Sequence, residues 1–202
     1  MVFILPLAIL TGILWSLRST VPAGLSTLLT LFVIYFFRDP ERRIPPEEKG
    51  ILSPADGKVI RVESCKEERF LQGSAIKISV FMSLFSVHVN RIPLTGTIAN
   101  SSYFPGKFFS ANLDKASAAN EQNALLIETA EGARILTVQI AGLIARRIVC
   151  WVGKGDRVVR GQRFGLIRFG SRLDIYLPQE TRVRAQLGQK AIGGQTILGY
   201  LP

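Results

Sequence analysis

A chain of 202 residues, 48% hydrophobic and 20% charged, is long enough for one domain of ordinary size and an appendage. A formal net charge of +10 points to a nucleic acid, an anionic membrane surface or an acidic substrate as partner. His88 is the one histidine, which excludes a site built on three imidazoles. Cys65 and Cys150 show no metal-ligand spacing and read as reduced thiols.

In chain order, residues 2–17 and 21–37 carry no charge and are separated by Arg18, Ser19 and Thr20. Each run lies near the lower limit for a spanning helix, about 17 to 25 residues. A second apolar run directly after the first argues against a signal peptide. The pattern predicts a helical membrane hairpin over residues 1–37, either crossing twice or dipping into one leaflet. Apolar content concentrated at one end also favours a membrane over nucleic acid. The flank that follows holds Arg38, Arg42, Arg43 and Lys49. By the positive-inside tendency it places the rest of the chain on the cytoplasmic side of the cell membrane. There each basic residue gains about 1 kcal/mol near anionic headgroups.

Residues 38–49 are polar and proline-rich, which predicts a linker. From Gly50 onward short β-prone runs stand between glycine, asparagine and aspartate: KVIRVE, AIKISVFM, ARILTVQIAG, ARRIVCWV, FGLIRFG, RLDIYLP and QTILGYL. The helical stretch is SANLDKASAAN, residues 110–120. Residues 50–202 therefore read as a mainly β (β-rich α+β) domain. Gly155-Asp-Arg-Val-Val-Arg-Gly161-Gln returns 33 residues later as Gly188-Gln-Lys-Ala-Ile-Gly-Gly194-Gln. Two glycine-cornered hairpins of equal length suit a small pseudo-symmetric barrel or sandwich. They resemble the hammerhead of biotinyl and lipoyl carrier domains. No Met-Lys-Met turn is present, so a carrier role is rejected.

Four short runs hold residues able to do chemistry. In Arg168-Phe-Gly170-Ser171-Arg172 the Ser171 hydroxyl can attack the Gly170 carbonyl, because glycine lets the peptide before it strain. An ester, then dehydroalanine, then a pyruvoyl group would follow, giving a ketone that forms a Schiff base with an amine. The plain alternative is a Gly-Ser turn. Ser53-Pro-Ala-Asp56-Gly57 is a good turn sequence, and Asp56 is also able to orient an imidazole. In FMSLFSVHVNRIP, His88 is either a satisfied core residue or the group that exchanges a proton near neutral pH. In QIAGLIARRIVC, Arg146 and Arg147 break the apolar alternation. They are either a solvated edge or a bidentate clamp for phosphate or carboxylate.

Taken together, Phe36-Phe37-Arg38-Asp39-Pro40, SPADG, FMS…HVNR.P, Asn120-Glu121, IAG.IARRI and RFGSR.D.YLP occur in an order that resembles the short class of phosphatidylserine decarboxylases over residues 36–178. The resemblance implies that Ser171 is the precursor of a covalent pyruvoyl cofactor. The proenzyme would be cut between Gly170 and Ser171, and fragments 1–170 and 171–202 would stay together. It implies that Asp56 supports self-processing and that His88 sits at the substrate carboxylate. Asn120, Glu121, Arg146 and Arg147 are candidates for the substrate. Two positions depart from the pattern. Arg91 stands where long members have a second histidine, and Ser86 where the family usually has aspartate. The expected substrate is phosphatidylserine, or an ether-linked archaeal counterpart with the same headgroup. No metal and no pyridoxal phosphate are expected, and a homo-oligomer is left open. The rival reading is a membrane-anchored β-barrel adaptor without chemistry. A denaturing gel separates them, since an adaptor stays one chain.

Overall fold

The computed structural model describes residues 3–111, 119–143, 147–168 and 170–202. Most of the helix expected over residues 110–120 lies outside them. The chain forms two compact units, one up to Pro40 and one from Glu41 to Pro202.

The first unit is a pair of helices, α1 (Ile4–Ser16) and α2 (Thr20–Phe36). Arg18 breaks them apart at φ 55°. Pro22 falls in the first turn of α2, where no intrahelical N–H is required of it. A helical hairpin thus forms, but of the two expected placements, crossing twice or dipping into one leaflet, the first finds no support. Its helices are 13 and 17 residues long, and among the described residues no helix is long and apolar enough to cross. The first helix ends at Ser16, capped at Leu17, and the second starts at Thr20 after Ser19. The side chains are arranged inside out. The Thr11 hydroxyl meets Ser26 at 2.7 Å and Thr30 at 3.1 Å between the helices. Leu5, Ile9, Leu25, Leu28 and Leu31 are exposed.

The second unit is mainly β. Its first strands are β1 (Gly50–Leu52), β2 (Gly57–Glu67), β3 (Gly73–Met82), β4 (Val89–Arg91) and β5 (Gly96–Phe104). Then come β6 (Gln122–Glu128), β7 (Arg134–Ala141), β8 (Ile148–Cys150), β9 (Arg157–Val158) and β10 (Arg163–Ile167). The last are β11 (Ser171–Pro178), β12 (Arg182–Val183), β13 (Lys190–Ala191) and β14 (Ile197–Tyr200). Among the described residues, one eight-stranded sheet runs in the order β13-β2-β3-β11-β7-β6-β5-β9, beside two three-stranded sheets, β1-β14-β12 and β4-β10-β8. The core lies on one face of the large sheet, with Ile78, Val80, Leu125, Ile135, Leu173 and Ile175 packed against Phe164 and Leu198 from the small sheets. The strand sequences alternate accordingly, one set inward and the next outward.

The repeated hairpins are built alike. Gly155, Gly161, Gly188 and Gly194 all have positive φ, between 76° and 94°. β9 pairs with Gly96 and Thr97, and β13 pairs with Gly57 and Lys58. Gly155 donates to Ile98 and Gly188 to Val59. The partners repeat as well, since Pro54-x-x-Gly57 corresponds to Pro93-x-x-Gly96. Residues 41–49, expected as linker, are held against this unit. Arg160 donates to the carbonyls of Pro45 (2.7 Å) and Gly50 (2.8 Å), and Ile44 lies against Gly161.

Candidate active site

Ser171 opens β11, the fourth strand of the eight, with β3 on one side and β7 on the other. Register sets it opposite Met82 and Ala141. Its side chain shares the core face with Leu173, Ile175 and Leu177 and is fully buried. The hydroxyl points at the Met82 sulfur, 3.4 Å away. A thioether is a weak acceptor, so the oxygen is held loosely beside the strand end.

The residue before it is gripped from two sides. Gly170 has φ 68°, the left-handed region that glycine enters freely. Its N–H points at Nε2 of His88 at 3.4 Å. Its carbonyl lies against Gly142, which continues the β7–β11 register past Ala141. His88 is 3% exposed and sits just before β4, and its own carbonyl receives the Ile167 N–H at the end of β10. The structure brings Ser171, Gly170 and His88 together.

A line of buried amides leads to the same place. Asn123 donates to Gln139 at 3.0 Å and Gln139 donates to Asn90 at 2.8 Å. Asn90 then presents its NH₂ to the Met82 sulfur at 3.7 Å. Each bond fixes the flip of the next amide, so Asn90 turns its donor toward the sulfur that Ser171 also faces. Sequence reasoning missed this line. The signal was a glutamine at an inward position of an apolar strand, where a buried polar group must find partners. Burial pushes the neighbouring Cys150 thiol up, which keeps it protonated and unreactive.

The other expected residues serve different ends. Asp56 receives the Gly193 N–H at 2.7 Å and Arg42 at 2.8 Å, rather than orienting His88. Its counterpart in the repeat, Thr95, receives the Arg160 N–H in the same way. Arg91 donates to the Gly161 carbonyl, and Ser86 closes a local turn with Ser83. Asn120 is a backbone clamp. Its oxygen takes the Phe109 N–H, and its nitrogen donates to the carbonyls of Phe109 and Ala141, both at 2.7 Å. Glu121 accepts from Ile148 N–H at 3.4 Å. Arg147 is exposed, and Arg146 lies outside the described residues.

A cleft of about 370 Å³ opens onto Gly170, walled by Phe81, Leu84, Phe85, Ala111 and Leu143. Its lining is mostly apolar. A second cleft, about 270 Å³, lies over Tyr176 on the face of the sheet away from the core and shares no lining residue with the first. A pyruvoyl group fits at 171, since its carbon atoms would be those of Ser171 itself, at a position that is fully buried.

The family model described as phosphatidylserine decarboxylase matches residues 29–199. A phosphatidylserine decarboxylase proenzyme of Geobacter metallireducens is 55% identical over 174 residues, covering 86% of this chain and 79% of its own length. That of Geobacter sulfurreducens is 53% identical, covering 96% of this chain and 89% of its own. One from Ralstonia nicotianae is 51% identical, covering 86% and 80%. With Gly170-Ser171 and His88 joined in space and this likeness running through every strand of the β unit, the chain belongs to the phosphatidylserine decarboxylase family.

Proposed function

We propose that this protein is a proenzyme that cuts itself between Gly170 and Ser171 and then decarboxylates phosphatidylserine to phosphatidylethanolamine. The observation that carries the reading is the Gly170–Ser171 peptide, with the Ser171 hydroxyl buried, His88 against the Gly170 N–H just before it and an apolar cleft opening onto Gly170.

In the processing step the Ser171 oxygen bonds to the Gly170 carbonyl carbon, the C–N bond breaks, and the serine proton passes to the freed nitrogen. The ester so formed loses the Ser171 α-proton and expels the Gly170 carboxylate. Water then replaces the nitrogen as ammonia. The resulting ketone is an electron sink for the bond to the departing carboxylate. In turnover, His88 would hold the substrate carboxylate and return a proton to the carbon from which carbon dioxide leaves. Asp56 supports processing at a distance, by fixing the turn that precedes β2 against Gly193 and Arg42. The apolar cleft admits the lipid while excluding water.

The N-terminal hairpin supports membrane attachment on the cytoplasmic side, next to the basic flank. Hydroxyls inside and leucines outside suit a lipid surround. At 1.5 Å per residue its helices reach only about 20 and 26 Å, short of a hydrocarbon core of about 30 Å. The hairpin therefore dips into one leaflet.

The test is Ser171→Ala. It should remain one chain of full mass and show no decarboxylation. The parent should give fragments 1–170 and 171–202, the smaller resistant to Edman degradation and captured by phenylhydrazine. Normal cutting of the variant would remove Ser171 from the reading.

A further inference from the structure

We infer that Gly142 is a positioning residue for self-cleavage, a cradle in which the carbonyl to be attacked is seated. This rests on the proposed cut between Gly170 and Ser171. A Cβ added at Gly142 would stand 2.1 Å from the Gly170 oxygen and 3.0 Å from its carbon. Real Cβ atoms do not come that close to backbone, so one of the two would have to move. The backbone at Gly142 gives no other reason for glycine, because its φ is not among the positive ones. Gly170 is the reverse case, with positive φ and, among the described residues, no atom within 4 Å of its missing Cβ. One glycine supplies conformation and the other supplies room.

The seat has a chemical consequence. As the Ser171 oxygen bonds to the Gly170 carbon, that carbon becomes tetrahedral and its oxygen takes up negative charge. The direction of the carbonyl decides whether the hydroxyl meets the carbon along a productive line. His88 already holds the N–H end of Gly170, so the carbonyl end sets the remaining freedom. A methyl group at 142 must push the oxygen by about 1 Å to restore an ordinary contact. A displacement of that size in a reacting group costs about 10²-fold in rate.

The experiment follows the cutting of the full chain by pulse labelling. Gly142→Ala should slow it by about 10- to 100-fold. Gly96→Ala is the control for a generic clash, because its added Cβ would lie 2.4 Å from the Glu128 carbonyl oxygen, remote from Ser171. It should cut within about threefold of the parent. Hydroxylamine added during processing should trap the ester as a hydroxamate on Gly170 in the parent and give about tenfold less in Gly142→Ala. The block would then precede the ester. Gly142→Ala in the Ser171→Ala background should melt cooperatively, as the single variant does. Equal slowing by Gly96→Ala, hydroxamate building up in Gly142→Ala, or loss of a cooperative melt would each overturn the inference. So would parental cutting of Gly142→Ala. If instead the parent is not cut at 170/171, the reading beneath it fails.

Discussion

Gln139 uses both ends of its amide on other amides, with Asn123 at one end and Asn90 at the other. Replacing it by leucine leaves a buried acceptor on Asn90 and a buried donor on Asn123. Each unsatisfied group costs about 1–3 kcal/mol. We expect Gln139→Leu to lower the stability of the uncut Ser171→Ala chain by about 3 kcal/mol in urea melts. Asn90→Leu in the same molecule should show a coupling above 1 kcal/mol, the sign of one shared line rather than two separate sites. Ser171, Gly170 and His88 were legible as residue types in a familiar order. The amide line was not, because its bonds join positions 49 and 16 residues apart, and no local pattern announces them. Gly142 was visible as a letter in IAG. Its purpose depends on a carbonyl that only the β7–β11 register brings to it.

At the scale of the element, β11 has two different faces. Its inner face continues from Ser171 through Leu173, Ile175 and Leu177. Its outer face carries Arg172, whose guanidinium meets Asp174 at 2.8 Å and the Ala111 carbonyl at 2.9 Å, all without exposure of either side chain. Lys77 comes within 3.7 Å of the same carboxylate. Asp174→Asn removes the anion from between two buried cations. Breaking a buried pair in this way costs about 3–5 kcal/mol, since the charge left behind cannot reach water. The expected result is a loss of that size in the Ser171→Ala background, with partial recovery when Arg172→Met is added. The alternation in RLDIYLP made β11 readable beforehand. β5 was not, because Thr97, Asn100, Ser101 and Ser102 give it no apolar stripe. β6 was also missed, since Gln122–Ile127 is buried on both faces and shows no period of two. The run ARRIVCWV was read as one strand, yet among the described residues pairing covers only Ile148–Cys150.

For the whole molecule, the boundary at Pro40 separates an apolar hairpin from a β unit that draws residues 41–49 onto itself. The glycine echo was legible as a repeat. Its extension to Pro54 and Pro93 was not, because only the paired strands reveal which segments correspond. A chain beginning at Glu41 should leave the membrane fraction in high salt, while the full chain stays, as followed by sedimentation with anionic vesicles. Retention of the shortened chain would transfer the attachment to the β unit.

The place of β11 also sets an order in time. A strand between β3 and β7 acquires its neighbours only when distant parts of the chain have come together, so the junction at Ser171 is complete only once those long-range pairings exist. Under the proposed cut, the reactive ketone would then be a record that folding had finished, because a misassembled molecule could not write it. The same cut makes the step one-way. Two fragments that separate on denaturation must find each other again by diffusion, at a rate that falls with dilution. The mature enzyme would therefore be protected by the slowness of its opening rather than by its ability to refold.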